Sequence, residues 1–159
     1  MRFITVRLCA VVVVALGLTL VPTTAWAAEV TVYAARDWQS TDVDAGFDNT
    51  VQIKYVSGRW SPWPGGYFDA RGCTIADGCG DPATDVNNVC PCIAHAGLIG
   101  RIGNSAPFAV GLGTTISAKR VGRAGDVQLR INDKVLSDDS GSIVVEVIPF
   151  FGRPSLGRS

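Results

Sequence analysis

Asp133, Asp138 and Asp139 fall within seven residues, in the stretch Asn-Asp-Lys-Val-Leu-Ser-Asp-Asp-Ser-Gly-Ser that runs from Asn132 to Ser142. Two carboxylates about 5 Å apart at an effective dielectric of ~20 repel by roughly 3 kcal/mol, so an ordered group of three needs a counter-charge. Lys134 is the one basic residue close to them in sequence. Hard oxygen donors on a tight loop suit calcium, which takes about 6–8 oxygens, backbone carbonyls among them. The spacing is not that of an EF-hand. The same residue types also serve as plain turn residues facing water, so spacing alone leaves both uses open.

A second group with chemistry in it is Cys73, Cys79, Cys90 and Cys92, with the only histidine, His95, just beyond. An even number of thiols in an exported chain predicts two disulfides, with three possible connectivities. Cys90-Pro-Cys92 could close on itself only as a small ring. The expectation is therefore that Cys73 and Cys79 each pair with one of Cys90 and Cys92. A closed loop of ~15 residues contributes roughly 3 kcal/mol in the chain-entropy account. Zinc held by these thiols and His95 is the competing use of the same residues. No Ser or Cys stands in a nucleophile setting, and adjacent Asp138 and Asp139 are poorly placed to act as opposed acid and base. The chain is not expected to be an enzyme, and His95 is expected to pack at a strand start.

The elements that must position these groups read as short strands. Val127–Ile131 and Ile143–Ile148 alternate on either side of the acidic loop. Glu29–Ala34 alternates as a first strand. Asp48-Asn49 turns into Thr50–Val56, where Val51, Ile53 and Tyr55 should face the core. Ser57-Gly58 is expected to end that strand, and Arg59–Gly66, with Trp60, Trp63 and its prolines, to be a loop. Trp60 reads as a packing residue. Asp37 to Thr41 reads as a polar connection. Leu98–Ile102, Phe108–Val110 and Thr114–Lys119 complete the strand set, and there is neither a long 3.6-residue period nor a repeat. Short strands with regular turn signals predict an all-β sandwich or barrel. Residues 73–92 are too long for an ordinary connection, which fits a stapled loop.

Composition sets the frame. Arg2 and Arg7 precede an apolar run from Leu8 to Val21 and the small-x-small end Ala25-Trp-Ala27, the pattern of a secretory signal peptide cleaved after Ala27. Residues 28–151 then form one β-sandwich domain, and 152–159 a flexible tail. Taking Arg2 and Arg7 from the 14 basic residues leaves 12 against 14 acidic ones, a net charge of about −2. With no basic stripe, nucleic acid and membrane insertion after signal cleavage are excluded as expectations, and the localisation is secreted.

The second half has a familiar pattern. Leu98-Ile-Gly-Arg-Ile-Gly-Asn104, a strand pair, Ile131-Asn-Asp133 and Asp138-Asp-Ser-Gly-Ser-Ile143 together resemble the bacterial calcium-dependent galactose-binding lectins of the galactophilic lectin-I type. The similarity extends forward through Ser57-Gly-Arg-Trp60 to the first strand. The resemblance implies a small jelly-roll-like, galactose-binding-like β-sandwich with one Ca2+ at an apical end. It implies metal ligation by the side chains of Asp133, Asp138 and Asp139. It adds a backbone carbonyl from Trp63 and one from Val135 or Leu136. It further implies a carbohydrate partner, a galactose-containing glycan, held at Asp133 and Asp138 with Trp63 covering a pyranose face. The chain departs from the family in having Asp138-Asp139 where the pattern has Asn-Asn. The stretch before that pair is shorter, and the middle loop is rebuilt with cysteines, without the family's sugar-holding His and Gln at the matching place. A structural or adhesion sandwich, hardened by calcium and two disulfides and binding no sugar, is the alternative.

Overall fold

The computed structural model describes residues 27–151. The expected leader, but for Ala27, and the tail 152–159 lie outside the described residues. The expected all-β sandwich is what the chain forms. One antiparallel sheet takes the order β1 (Ala28–Tyr33), β9 (Ser140–Phe150), β3 (Thr50–Trp63), β4 (Gly66–Phe68), with β7 (Gly113–Ser117) also paired to β3. The other takes the order β2 (Gln39–Ala45), β8 (Gly125–Ile131), β5 (Leu98–Ile102), β6 (Phe108–Ala109). Strict alternation explains the layering. Ile143, Val145 and Val147 of β9 and Val127, Leu129 and Ile131 of β8 are fully buried between the sheets, and the residues between them point outward. A single helical turn, α1 (Ala118–Val121), follows β7. Among the described residues no helix is long and apolar enough to cross a membrane.

Strand β3 corrects the expected break at Ser57-Gly58 and the expected loop at Arg59–Gly66. It continues for 14 residues, because a bulge between Tyr55 and Ser57 shifts the register and lets pairing with β9 resume as far as Ser61 opposite Ser140. Gly58 makes that possible. It sits at φ +97° so close to β9 that a Cβ would lie 2.6 Å from the Ser142 carbonyl oxygen. Pro62 falls between the paired residues Trp60 and Trp63, where a second irregularity requires no donor. Strand β2 replaces the expected polar connection at its start. Its inward residues are Thr41, Val43 and Ala45.

The disulfides also differ from expectation. The bonds are Cys73–Cys79, with Cα atoms 5.7 Å apart, and Cys90–Cys92, with Cα atoms 5.1 Å apart. Both separations lie within the range a disulfide spans, so the three-residue ring around Pro91 closes without a partner from the other pair. With all four sulfurs in disulfides, the thiolate zinc site is excluded. Tertiary order across residues 73–95 comes instead from hydrogen bonds. Cys73 and His95 form an isolated bridge, the Cys73 N–H donating to the His95 carbonyl at 2.7 Å. Gly72 permits this approach, since a Cβ there would meet that carbonyl at 2.3 Å. Trp60, 0% exposed, packs in the core as expected and donates its indole N–H to the Ala96 carbonyl at 2.8 Å.

Candidate functional site

The site lies at one end of the sandwich, where the β8–β9 loop meets the end of β3 and residues 85–95. Three local devices build it. First, Ile131 closes β8 with its side chain in the core, so Asn132 turns inward behind it. The fully buried Asn132 amide accepts from the Cys90 N–H at 2.8 Å and donates to the carbonyls of Cys90 at 2.9 Å and Ile93 at 3.0 Å. One side chain thus satisfies the backbone of the cystine loop and fixes it beside Asp133. Second, Asp133 Oδ1 accepts from the Val135 N–H at 2.8 Å, an Asx turn that bends the acidic loop. Third, the Lys134 N–H donates to the Asn87 carbonyl at 2.8 Å and its Nζ to the Val86 carbonyl at 2.6 Å. The one nearby lysine is therefore committed to residues 86–87, and it forms no ion pair with the carboxylates.

A cavity of about 170 Å³ opens here, lined by Pro62, Trp63, Asn87, His95, Asp133, Val135 and Asp138. Asp133 is 3% exposed and Asp139 7%, while Asp138 faces solvent. Both carboxyl oxygens of Asp139 are buried without a hydrogen-bond partner. Burial, reinforced by the charges of Asp133 and Asp138, pushes the Asp139 carboxyl up to about 7, and His95 and Arg130 offset only part of this. The Arg130 guanidinium reaches the acidic loop from β8. It donates to the Asp133 carbonyl and to the Asp37 carboxylate rather than to Asp139.

His95 is the residue that reading the sequence set aside. It precedes β5, but its ring lies in the cavity and not in the core. Nε2 is 3.2 Å from Asp133 Oδ2, and Nδ1 is 2.9 Å from Asn88 Oδ1 and 3.6 Å from Asp85 Oδ2. The Asn88 amide nitrogen donates to the Pro82 carbonyl at 3.3 Å, which leaves its oxygen facing the imidazole. An amide oxygen against one ring nitrogen and a carboxylate against the other favour the imidazolium. Burial pulls the His95 pKa down, but the hydrogen bond and charge of Asp133, with the charges of Asp85 and Asp139, outweigh it, and the net direction is up. Residues 95 and 133 lie 38 positions apart and share no motif, so only the fold joins them. The only local signal was their shared neighbourhood of turn residues.

The structure brings Asp133, Asp138 and Trp63 to one cavity and puts Asp139 behind them. Trp63 is stacked on His95, with ring centroids 5.8 Å apart and an interplanar angle of 11°, and tilted against Phe68 at 5.5 Å. One face of the indole is therefore covered by the imidazole. The Trp63 carbonyl accepts from the Ser61 hydroxyl. Leu136 is half-buried, its side chain packed against the core. Among the described residues no three His, Cys, Asp or Glu side chains converge closely enough to hold an ion by themselves.

No family model matches the chain, and no curated protein matches it. Among solved structures it is similar to one described as "EclA N-terminal domain; PllA-like lectin". The TM-score is 0.53 at 18% identity, over 77% of this chain and 95% of that one. The likeness is one of fold: the two chains share a β-sandwich architecture.

Proposed function

We propose that this chain is an exported, calcium-binding lectin-like domain that binds carbohydrate through a loop-bound calcium ion, and that it is not an enzyme. The observation that carries the reading is Asp139. Two buried carboxylate oxygens without a donor, behind two further carboxylates and with the nearby lysine turned elsewhere, make a site short of positive charge. A hard cation supplies that charge, and the donor set is all oxygen, as calcium prefers. Asp133, Asp138 and Asp139 would hold the ion with the carbonyls of Trp63 and Leu136. The three carboxylates are not drawn together in the ion-free fold, so binding would close the loop around the ion. When bound, the ion supplies positions open to vicinal sugar hydroxyls.

The chain's own groups do the rest. Asn132 and the cystine loop fix Asp133. Val135 N–H holds one of its oxygens, and the other lies 3.2 Å from His95 Nε2 at the cavity wall. The exposed Asp138 carboxylate can accept from a sugar hydroxyl, and the part of Trp63 not stacked on His95 offers apolar contact. The lectin description of the structural neighbour supports carbohydrate as the ligand class, with a galactose-containing glycan as the first candidate. Two disulfides beside the site suit an oxidising, extracellular setting.

The covered face of Trp63 favours a second reading, in which calcium and the disulfides harden a structural or adhesion domain that binds no sugar. Equilibrium dialysis against calcium, followed by a glycan array with and without chelator, separates the two. Retained calcium with chelator-sensitive glycan binding is the expected result. Retained calcium with no glycan bound establishes the structural reading, and no retained calcium overturns both.

A further inference from the structure

We infer that the cleft between the β3–β4 hairpin and the Cys73–Cys79 loop is a second ligand site, one that takes a carboxylate-bearing sugar residue, a uronate, without a cation. The cleft encloses about 340 Å³, roughly twice the volume beside Asp133, and falls within the size of small-molecule sites. Its walls are Arg59 of β3, Tyr67 and Phe68 of β4, and the turn from Asp69 through Asp77.

The charges in it decide the ligand. Both carboxylates are already engaged. Asp69 is gripped by Arg71, whose Nε and Nη2 donate at 3.1 and 2.9 Å, and it also accepts the Arg71 backbone N–H at 2.8 Å. Asp77 accepts from the Thr74 N–H at 2.9 Å and the Thr74 hydroxyl at 2.7 Å. The hydrogen bonds from Arg71 hold Asp69 below the usual carboxylate range, with Arg59 adding to the same direction. Arg59 is exposed and forms no ion pair with any described residue. The cleft therefore presents one unpaired guanidinium, a planar fork of donors that matches a carboxylate in two parallel bonds. Asp77, held only by neutral donors, keeps its charge on the opposite wall. Beside it Tyr67 is 62% exposed, an aromatic surface of the kind that covers a sugar ring. The Cys73–Cys79 bond closes the short loop that carries Thr74 and Asp77, so this wall is held in place before a ligand arrives. The carboxylate half of the assignment stands on these contacts alone. The sugar half rests on the carbohydrate-binding reading proposed above.

The test is calorimetric titration of the full chain with D-glucuronate, D-glucose and propionate, all in chelator. Glucuronate is expected to bind with a millimolar dissociation constant, and glucose to give no measurable heat. Arg59→Gln should weaken glucuronate binding by about tenfold or more, while Arg59→Lys retains part of it. Asp139→Asn should leave it unchanged. Arg59 is exposed, so unaltered circular dichroism of Arg59→Gln is expected and assigns its loss to the ligand. Wild-type affinity in Arg59→Gln, or no heat with glucuronate, overturns the site. Propionate binding as tightly as glucuronate overturns the sugar. Glucuronate binding that needs calcium moves the ligand to the Asp133 cavity and overturns this site while leaving the first reading intact. Cation-free binding by a protein that retains no calcium does the reverse.

Discussion

Replacing Asp139 by Asn should have opposite effects on stability with and without calcium. In chelator above pH 7 the native chain carries Asp139 as a buried anion facing Asp133 and Asp138. Moving a carboxyl from its ordinary 3.8 to about 7 corresponds, at about 1.4 kcal/mol per pH unit, to a penalty near 4 kcal/mol on the charged form. The loop borders solvent through the exposed Asp138, and screening there brings this to about 2 kcal/mol. The folded chain holds the Asp139 proton between pH 3.8 and about 7, where the unfolded chain has lost it. Stability therefore falls as pH rises through that window and levels off above it. Asp139→Asn abolishes that fall. At pH 8 in chelator the variant should be more stable by about 2 kcal/mol, or ~6–10 °C in Tm for a domain of this size. The gap should close as pH approaches 4. In calcium at a hundredfold excess over its Kd, the native chain gains about 2.7 kcal/mol and the variant far less, so the order reverses. Thermal melts of both chains at pH 4, 6 and 8, each with calcium and with chelator, give the answer directly. A variant less stable than the native chain in chelator at pH 8 refutes the reasoning, because Asp139 would then be making a favourable contact and not bearing an uncompensated charge.

Three further outcomes are expected. In NMR titration the His95 imidazole should lose its proton above pH 6.5 in chelator. The stability it adds is full below 6.5 and lost as pH passes its raised folded value, and calcium bound beside Asp133 should lower that midpoint. Asn132→Ala should cost about 3 kcal/mol in denaturant unfolding, since it strands the Cys90 N–H and the Cys90 and Ile93 carbonyls in a buried place. It should weaken calcium binding as well, because Asp133 loses its support. Trp60→Ala should cost about 3–5 kcal/mol by opening a core cavity beside an unpaired Ala96 carbonyl, with near-ultraviolet circular dichroism reporting the lost packing.

What could be read in the sequence was what period and turn chemistry write locally. Strands β5 and β9 and the acidic loop were visible, because Leu98–Ile102 and Ile143–Ile148 carry their burial in residue type and Asp-Asp-Ser-Gly carries its turn. Strand β2 was not, since two of its three buried positions hold Thr41 and Ala45, which do not announce a core face. The length of β3 was hidden by Gly58 and Pro62, which punctuate a free chain. Here Gly58 follows a bulge against the sequence-distant β9, and Pro62 sits at an irregularity in the pairing with β4. The disulfide pairing was not legible because the small ring at Cys90-Pro-Cys92 reads as unfavourable, whereas the local backbone brings the two Cα atoms to 5.1 Å. His95 was missed for a related reason. What carries it to Asp133 is the Cys73 bridge and the Asn132 amide, both contacts between segments distant in sequence.

The placement of Asp138 and Asp139 argues for the cation more strongly than their identity does. A turn between β8 and β9 needs only residues that tolerate tight backbone angles, and a turn of that kind leaves its carboxylates in water, as Asp138 is left. Asp139 is instead turned inward at a cost, with Asp133 already buried on the same side. The groups that could have neutralised it are committed elsewhere. Lys134 holds the 86–87 backbone, Arg130 holds Asp37 and the Asp133 carbonyl, and His95 is hydrogen-bonded to Asn88 and Asp133. A loop so arranged is destabilised by its own charge above about pH 7, and either a proton on Asp139 or a cation from solvent relieves it. Under the proposed reading calcium supplies that charge, and removing the charge at Asp139 should then strengthen the bare fold and weaken its hold on the ion together.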